Sequence, residues 1–366
     1  MSIHAATQAV RAGVDADSAH GAIMLPIYLS TNYSFAGFGQ KRAYDYTRSG
    51  NPTRDALADV LAELEGGEGA LVTASGMAAI TLLTAQLQPD DLIVAPHDCY
   101  GGCYRLFRAQ ADRGLYRVDF VDFSNDVALR SALVRRPKLV WIETPSNPLL
   151  RITDIAHVSQ LAHDAGATVV VDNTFLSPAL QQPLKLGADI VVHSTTKYLN
   201  GHSDVVGGAV IWKDKAVGEQ LSWWCNCLGL AGAPFDSFLT LRGVRTLQPR
   251  LTVHQANATA IAKHLGNHAL VEKVYFPGLP SHPDHELARR QQRGFGAMLS
   301  FELRGGEAAV RAFLHGLRYF SLAESLGGVE SLIAHPATMT HASMDASARA
   351  RAGIGDGLLQ IGRAHV

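Results

Sequence analysis

Cysteine is scarce, with four in 366 residues, Cys99, Cys103, Cys225 and Cys227, spaced C-x3-C and C-x-C. Neither pair repeats the C-x2-C spacing of a structural zinc site, and a chain this long needs no disulfide framework, so reduced thiols are expected. Long hydrophobic runs are also missing. No apolar stretch approaches the roughly 20 residues of a membrane span. The start, Met1-Ser-Ile-His-Ala-Ala-Thr-Gln8, has no basic segment leading into an apolar one, so a cytoplasmic location is expected. Excess charge is absent, since 32 lysines and arginines face 33 aspartates and glutamates. No basic stretch offers nucleic acid or an anionic membrane a footprint, which leaves small metabolites as the expected partners. The 16 histidines are scattered. His282-Pro-Asp-His285 lies in a proline-rich turn and His341 stands apart, so no metal is expected.

What is present is a strand and helix alternation. The length predicts two domains. Residues 1–55 are irregular, with Pro26, Phe35-Ala-Gly-Phe-Gly39 and Arg48-Ser-Gly-Asn-Pro-Thr53. A helix then begins with Thr53 as its expected N-cap, carries Leu57, Val60, Leu61 and Leu64 at helical spacing, and stops at Gly66-Gly67. Strands are predicted at 69–73, 91–95, 117–121, 139–143, 168–171, 190–192 and 208–212. Near-continuous apolar runs of this kind, separated by helical patterns, predict a mostly parallel seven-stranded sheet covered on both faces, an α/β fold over 56–247. Past a long helix around Leu251 to Leu265 the pattern changes. Strands at 273–276 and 298–302 and a helix from Glu307 to Leu317 predict a smaller α+β domain over 248–366.

Chemistry gathers at the predicted carboxyl ends of these strands, where open α/β sheets place ligands. Asp172 closes Ala167-Thr-Val-Val-Val-Asp172, and Lys197 follows Ile190-Val-Val-His-Ser-Thr-Thr196. A buried acid that keeps a pyridine nitrogen protonated, beside an amine that forms an imine, is the minimum apparatus for pyridoxal 5′-phosphate (PLP), an electron-sink cofactor. Ser75-Gly-Met77 opens a helix, so the free N–H groups at Gly76 and Met77 suit a phosphate dianion. Ser194 and Thr196 add hydroxyl donors. Asn147 is placed to donate to the ring hydroxyl oxygen, and Tyr100 to stack on the ring. Each piece has an ordinary reading too: a cap, a turn, a core aromatic. Ser194-Thr-Thr-Lys197 also matches the S-x-x-K of penicillin-binding enzymes, but S-D-N and K-T-G elements are missing, because Ser203-Asp204 continues as Val205.

Taken together, Tyr46-Thr-Arg-Ser-Gly-Asn-Pro-Thr53, Asp98-Cys-Tyr-Gly-Gly102, Glu143-Thr-Pro-Ser-Asn-Pro148, Val171-Asp-Asn-Thr-Phe175 and His193-Ser-Thr-Thr-Lys-Tyr-Leu-Asn-Gly-His-Ser-Asp204 resemble the Cys/Met-metabolism PLP enzymes. The likeness runs from about residue 5 to 359. It implies the fold type I architecture, the aspartate aminotransferase-like PLP-dependent transferase fold. It also implies roles: Lys197 as Schiff-base lysine and proton shuttle, Asp172 as pyridinium partner, Tyr100 as stacking ring, and Gly76, Met77, Ser194 and Thr196 around the phosphate. Tyr46 and Arg48 would reach that phosphate from a neighbouring subunit, making a dimer the smallest competent unit and a homotetramer the assembly. Arg is the natural bidentate partner for phosphate. Arg105, Glu324 and Ser325 would face the substrate. The implied reaction is γ-replacement, in which L-cysteine displaces the acyl group of O-succinyl-L-homoserine. A lyase of the same family is the alternative, and a PLP-binding but inactive chain is another.

One position departs from the resemblance. Family members carry an Arg that grips the substrate α-carboxylate where Leu358-Leu359 is here followed by Gln360. Ile361-Gly-Arg-Ala-His-Val366 is also the translation, in one frame, of a common short-read sequencing adapter whose first bases would complete a Gln codon. The expectation is that residues 360–366 are not native and that Arg belongs at 360.

Overall fold

The seven strands predicted from the apolar runs form one sheet in the computed structural model, which describes residues 4–342, 344 and 346–363. Residues 364–366, the end of the stretch expected to be non-native, lie outside the described residues. The strands are β1 Gly69–Thr73, β2 Leu92–Pro96, β3 Arg117–Val121, β4 Leu139–Glu143, β5 Thr168–Asp172, β6 Ile190–Ser194 and β7 Gly208–Trp212, in the order β1-β7-β6-β5-β4-β2-β3. All neighbours are parallel except β7, which runs antiparallel to both β1 and β6. Val169, Val170 and Val171 are all fully enclosed, because alternate side chains enter two different cores. Val169 and Val171 join one that continues into Phe301 and Leu359, while Val170 joins another with Trp141, Val192 and Phe107. Burial on both faces is why the run is continuously apolar, each valine contributing about 1.5–3 kcal/mol.

The helix Pro52–Glu65 is capped by Asn51, not by Thr53 as predicted. Asn51 Oδ1 accepts from the N–H groups of Thr53 and Arg54, and Pro52 at the first helical position favours that start. Thr53 instead ties down the irregular arm. Its buried hydroxyl donates to Pro26 O and accepts from Tyr28 N.

The long helix Leu247–Gly266 leads to a second sheet made of β8 Val271–Tyr275, β9 Leu299–Leu303, β10 Ser321–Leu322, β11 Leu332–Ala334 and β12 Leu358–Arg363. Its order is β10-β11-β12-β9-β8. Helix Gly306–His315 is the predicted 307–317 helix, ended early by Gly316. β12 pairs with β9 on one side and β11 on the other, which carries Gln360 into the space above the carboxyl ends of β4 and β5.

Candidate active site

Glu143, Asp172 and Ser194 are the last residues of β4, β5 and β6, and Lys197 lies one turn past β6. All four line a cavity of about 550 Å³ together with Gly76, Met77, Tyr100, Arg105, Asn147, Thr196, Glu324 and Ser325. Strand register sets the floor. Glu143 and Asp172 are direct partners on adjacent parallel strands, so their carboxyls emerge side by side on one face. Thr174 N–H donates to Asp172 Oδ1 at 3.0 Å, and Thr174 Oγ1 accepts from Ser194 N at 2.9 Å, tying the ends of β5 and β6 together. Burial pushes both carboxyls above the ordinary carboxylate range, Glu143 further because Asp172 is beside it. Two like charges cannot both ionise cheaply there. A cationic ring nitrogen against Asp172 would favour its ionised form and leave Glu143 neutral.

Lys197 Nζ donates to Ser325 Oγ at 2.9 Å. Desolvation pushes the amine below its usual value, and the negative charge of Glu324 works against that shift. Ser325 holds its hydroxyl there from a left-handed backbone, φ 101°, which is uncommon for a side chain of this type.

The phosphate end fits its expected guest. Ser75 caps the helix Gly76–Thr84 through Oγ to Ala78 N, so the backbone turns its remaining first-turn N–H groups outward. A Cβ at Gly76 would sit 3.0 Å from Ser194 Cβ and 3.2 Å from Ser194 Oγ, in the cradle a phosphate oxygen would use. Thr196 is engaged by Gly207, donating to its O and accepting from its N, and would turn from Gly207 O to serve a phosphate. Tyr100 is half-exposed into the cavity, and Gly102 makes room for it, since a Cβ there would lie 2.4 Å from the Tyr100 ring. With paired carboxyls, a desolvated amine, a helix N-terminus and a half-exposed aromatic ring along one cavity, the residues present suit PLP.

Tyr46 and Arg48 are not brought into this cavity. Arg48 donates to Asn226 O and Asn226 Oδ1 at 2.8 and 2.9 Å, and its guanidinium lies over the Tyr46 ring.

Glu143 escaped the sequence reading, and Gln360 and His341, singled out there on other grounds, take partners it did not foresee. Glu143 accepts from the Tyr100 and Asn147 N–H groups. A lone Glu ending the otherwise apolar Leu139-Val-Trp-Ile142 was the available signal. Gln360, 3% exposed, donates through Nε2 to Asn147 Oδ1 at 3.0 Å. His341 is wholly enclosed and donates from Nε2 to Asn147 O at 3.0 Å, while Nδ1 meets the Thr340 hydroxyl at 2.9 Å. It thereby pins the segment carrying Met339, Thr340 and Ala342 over the cavity. His282 and His285 serve the backbone: His282 Nδ1 accepts from Asp284 N, and His285 Nδ1 donates to Pro277 O.

Burial lowers the His341 pKa from 6.5 to about 4. Below pH 6.5 the unfolded chain binds a proton that the folded chain refuses until about pH 4, so stability falls as pH drops through that window. His341→Gln keeps a donor for Asn147 O without the proton uptake. The expected result is that wild type loses on the order of 3 kcal/mol more than the variant between those limits. Urea unfolding at both pH values checks it, and equal losses would refute it.

A family model described as Cys/Met metabolism PLP-dependent enzyme matches residues 6–363. The chain is 60% identical to cystathionine γ-synthase of Escherichia coli over 97% of this chain and 92% of that protein. It is 46% identical to cystathionine β-lyase of Coxiella burnetii over 98% of this chain and 93% of that one. A crystal structure of cystathionine γ-synthase from Xanthomonas oryzae pv. oryzae in complex with cystathionine superposes with a TM-score of 0.98 at 64% identity, covering 100% of this chain and 94% of that one. The seven-stranded sheet, its helices and the site at its carboxyl edge are the fold type I architecture. The chain belongs to the Cys/Met-metabolism family of PLP-dependent enzymes.

Proposed function

We propose that this chain catalyses γ-replacement, converting O-succinyl-L-homoserine and L-cysteine to L-cystathionine and succinate. The observation that carries the chemistry is the convergence of the Lys197 amine, held by Ser325, and the half-buried Asp172 carboxyl on one cavity. The choice of reaction is supported by the likeness to the E. coli and X. oryzae synthases.

When bound, PLP supplies an electron sink through its protonated pyridine ring. Asp172 would keep that nitrogen protonated. The first-turn N–H groups at Gly76 and Met77, with Ser194 and Thr196, would hold the phosphate, and Tyr100 would stack on the ring. Lys197 is the base: its desolvated, low-pKa amine takes the substrate Cα proton and then serves a second proton at Cβ as succinate leaves Cγ. Ser325 aims the amine. Arg105 and Glu324 on the open side meet the substrate's charged groups. The segment carrying Met339 and Thr340 lines the same cavity.

Two chains build each site in this reading. Tyr46 and Arg48, outside their own cavity, reach a neighbour's phosphate, and two such dimers make a tetramer working in the cytoplasm. Residues 1–55 are then the exchanged arm, 56–247 the cofactor domain and 248–366 the smaller domain.

The test is steady-state assay with O-succinyl-L-homoserine, with and without L-cysteine. Cystathionine that requires cysteine is expected. Ammonia and a 2-oxoacid at the same rate without thiol would replace the synthase reading with a lyase.

A further inference from the structure

Glu143 is a carboxyl 6% exposed at the end of β4, and Asp172 and Asp98, the nearest charges affecting it, share its sign. Its partners are backbone. Oε2 accepts from Tyr100 N at 2.8 Å, and Oε1 accepts from Asn147 N at 3.3 Å. These two N–H groups belong to different segments, one opening the helix Gly101–Asp112 after β2 and the other in the Thr144-Pro-Ser-Asn-Pro148 turn after β4. One carboxyl thus spans the two pieces of chain that carry the ring-stacking side chain and the donor for the ring hydroxyl. Enclosing an acid among like charges is costly unless its hydrogen bonds are made, and a purely structural tie would not need to sit on the cavity wall.

We propose that Glu143 is a positioning residue for the cofactor ring: its two oxygens fix the segments that carry the Tyr100 ring and the Asn147 amide, next to Asp172. The inference rests on PLP occupying this cavity as described above. Neighbouring carboxyls divide the work. Asp172 takes the ionised role toward the ring nitrogen, and Glu143 stays neutral and holds backbone, so the floor carries one negative charge against one cationic ring.

Glu143→Gln tests it, because the amide keeps the shape and neutrality but offers one acceptor and turns a donor toward the second N–H. Glu143→Asp is the companion variant, retracting the carboxyl by one methylene from both. PLP affinity is measured by titrating the PLP-free protein, and visible circular dichroism of the bound cofactor reports how firmly the ring is held. The expected result is about tenfold weaker PLP binding in both variants, the cost of one buried hydrogen bond, with a reduced dichroic band. In Glu143→Gln the pH at which the bound cofactor's visible absorbance changes should stay at the wild-type value, one neutral group having replaced another. Unchanged affinity and dichroism with only a lower unfolding temperature would overturn the proposal, leaving Glu143 a structural tie. A shift of that pH by about a unit would also overturn it, since Glu143 would then act by charge. A wild-type protein that takes up no PLP would overturn the site assignment as well, and so separates the two failures.

Discussion

Lys197→Ala is expected to lower cystathionine formation by at least about a thousandfold, with the fold intact. In the proposed mechanism two functions disappear in one substitution: the amine that would bond the cofactor covalently and the base that would move protons at Cα and Cβ. No other group in the cavity replaces it. The Arg105 guanidinium offers donors but no acceptor, and burial pushes the Tyr100 phenol upward, away from the range useful to a base. Glu324 is on the Lys197 side of the cavity, but a carboxylate cannot form the imine. Desolvation has tuned Lys197 downward, so a larger fraction of its amine is neutral near pH 7 than for a solvated lysine. The removed side chain points into the cavity, and the residues around it, Tyr198 and Leu199, remain fully packed. Circular dichroism and unfolding temperature should therefore match wild type. The assay is steady-state turnover with saturating PLP. Activity within tenfold of wild type would remove Lys197 from the mechanism.

The parts of this site legible in the sequence are those fixed by strand ends. β4 and, from Val169, β5 are apolar up to the residue where the sheet meets the cavity, so the first polar side chain after each run, Glu143 or Asp172, marks the edge. β6 turns polar one residue earlier, at His193, which is enclosed and bonded to Glu65, and Ser194 follows it at the cavity. Asp172 and Ser194 were singled out at these strand ends and line the cavity, while Glu143 passed as the first residue of a quoted motif. Its partners are backbone N–H groups 43 and 4 residues away, and backbone donors leave no trace in side-chain pattern. The Asn51 cap was missed for a related reason. Thr53 and Asn51 are both good caps, and Thr53 was withdrawn by the arm residues Pro26 and Tyr28, a tertiary contact that local propensity does not see. The second sheet was half legible. β8 and β9 were long enough to predict, but β10 and β11 are two and three residues long. Strands that short owe their existence to the neighbour they pair with.

Gln360→Arg is expected to raise the apparent affinity for O-succinyl-L-homoserine by about thirty- to a thousandfold, the equivalent of about 2 to 4 kcal/mol for a charge-assisted contact in an enclosed site. β12 holds position 360 opposite Ser300 of β9 and Ala334 of β11, so the side chain is delivered to the cavity by two flanking strands. Gln360 spends its Nε2 donor on Asn147 Oδ1. A guanidinium at the same position carries enough donors to keep that contact and still pair both oxygens of a substrate α-carboxylate. Binding and turnover should separate: KM falls, and kcat changes less, because the new contact is made before any bond breaks. Stability supplies an independent check. Without ligand the introduced cation is enclosed where Gln360 has the neutral Asn147 amide as its partner, so the variant should unfold at a lower temperature than wild type. Adding a substrate-like amino acid should then raise its unfolding temperature by more than it raises that of wild type, because ligand binding to the folded state alone contributes stability in proportion to its affinity. Equal KM values and equal ligand-induced shifts in the two proteins would show that the α-carboxylate is held elsewhere, with Arg105 the next cation on the cavity wall to test.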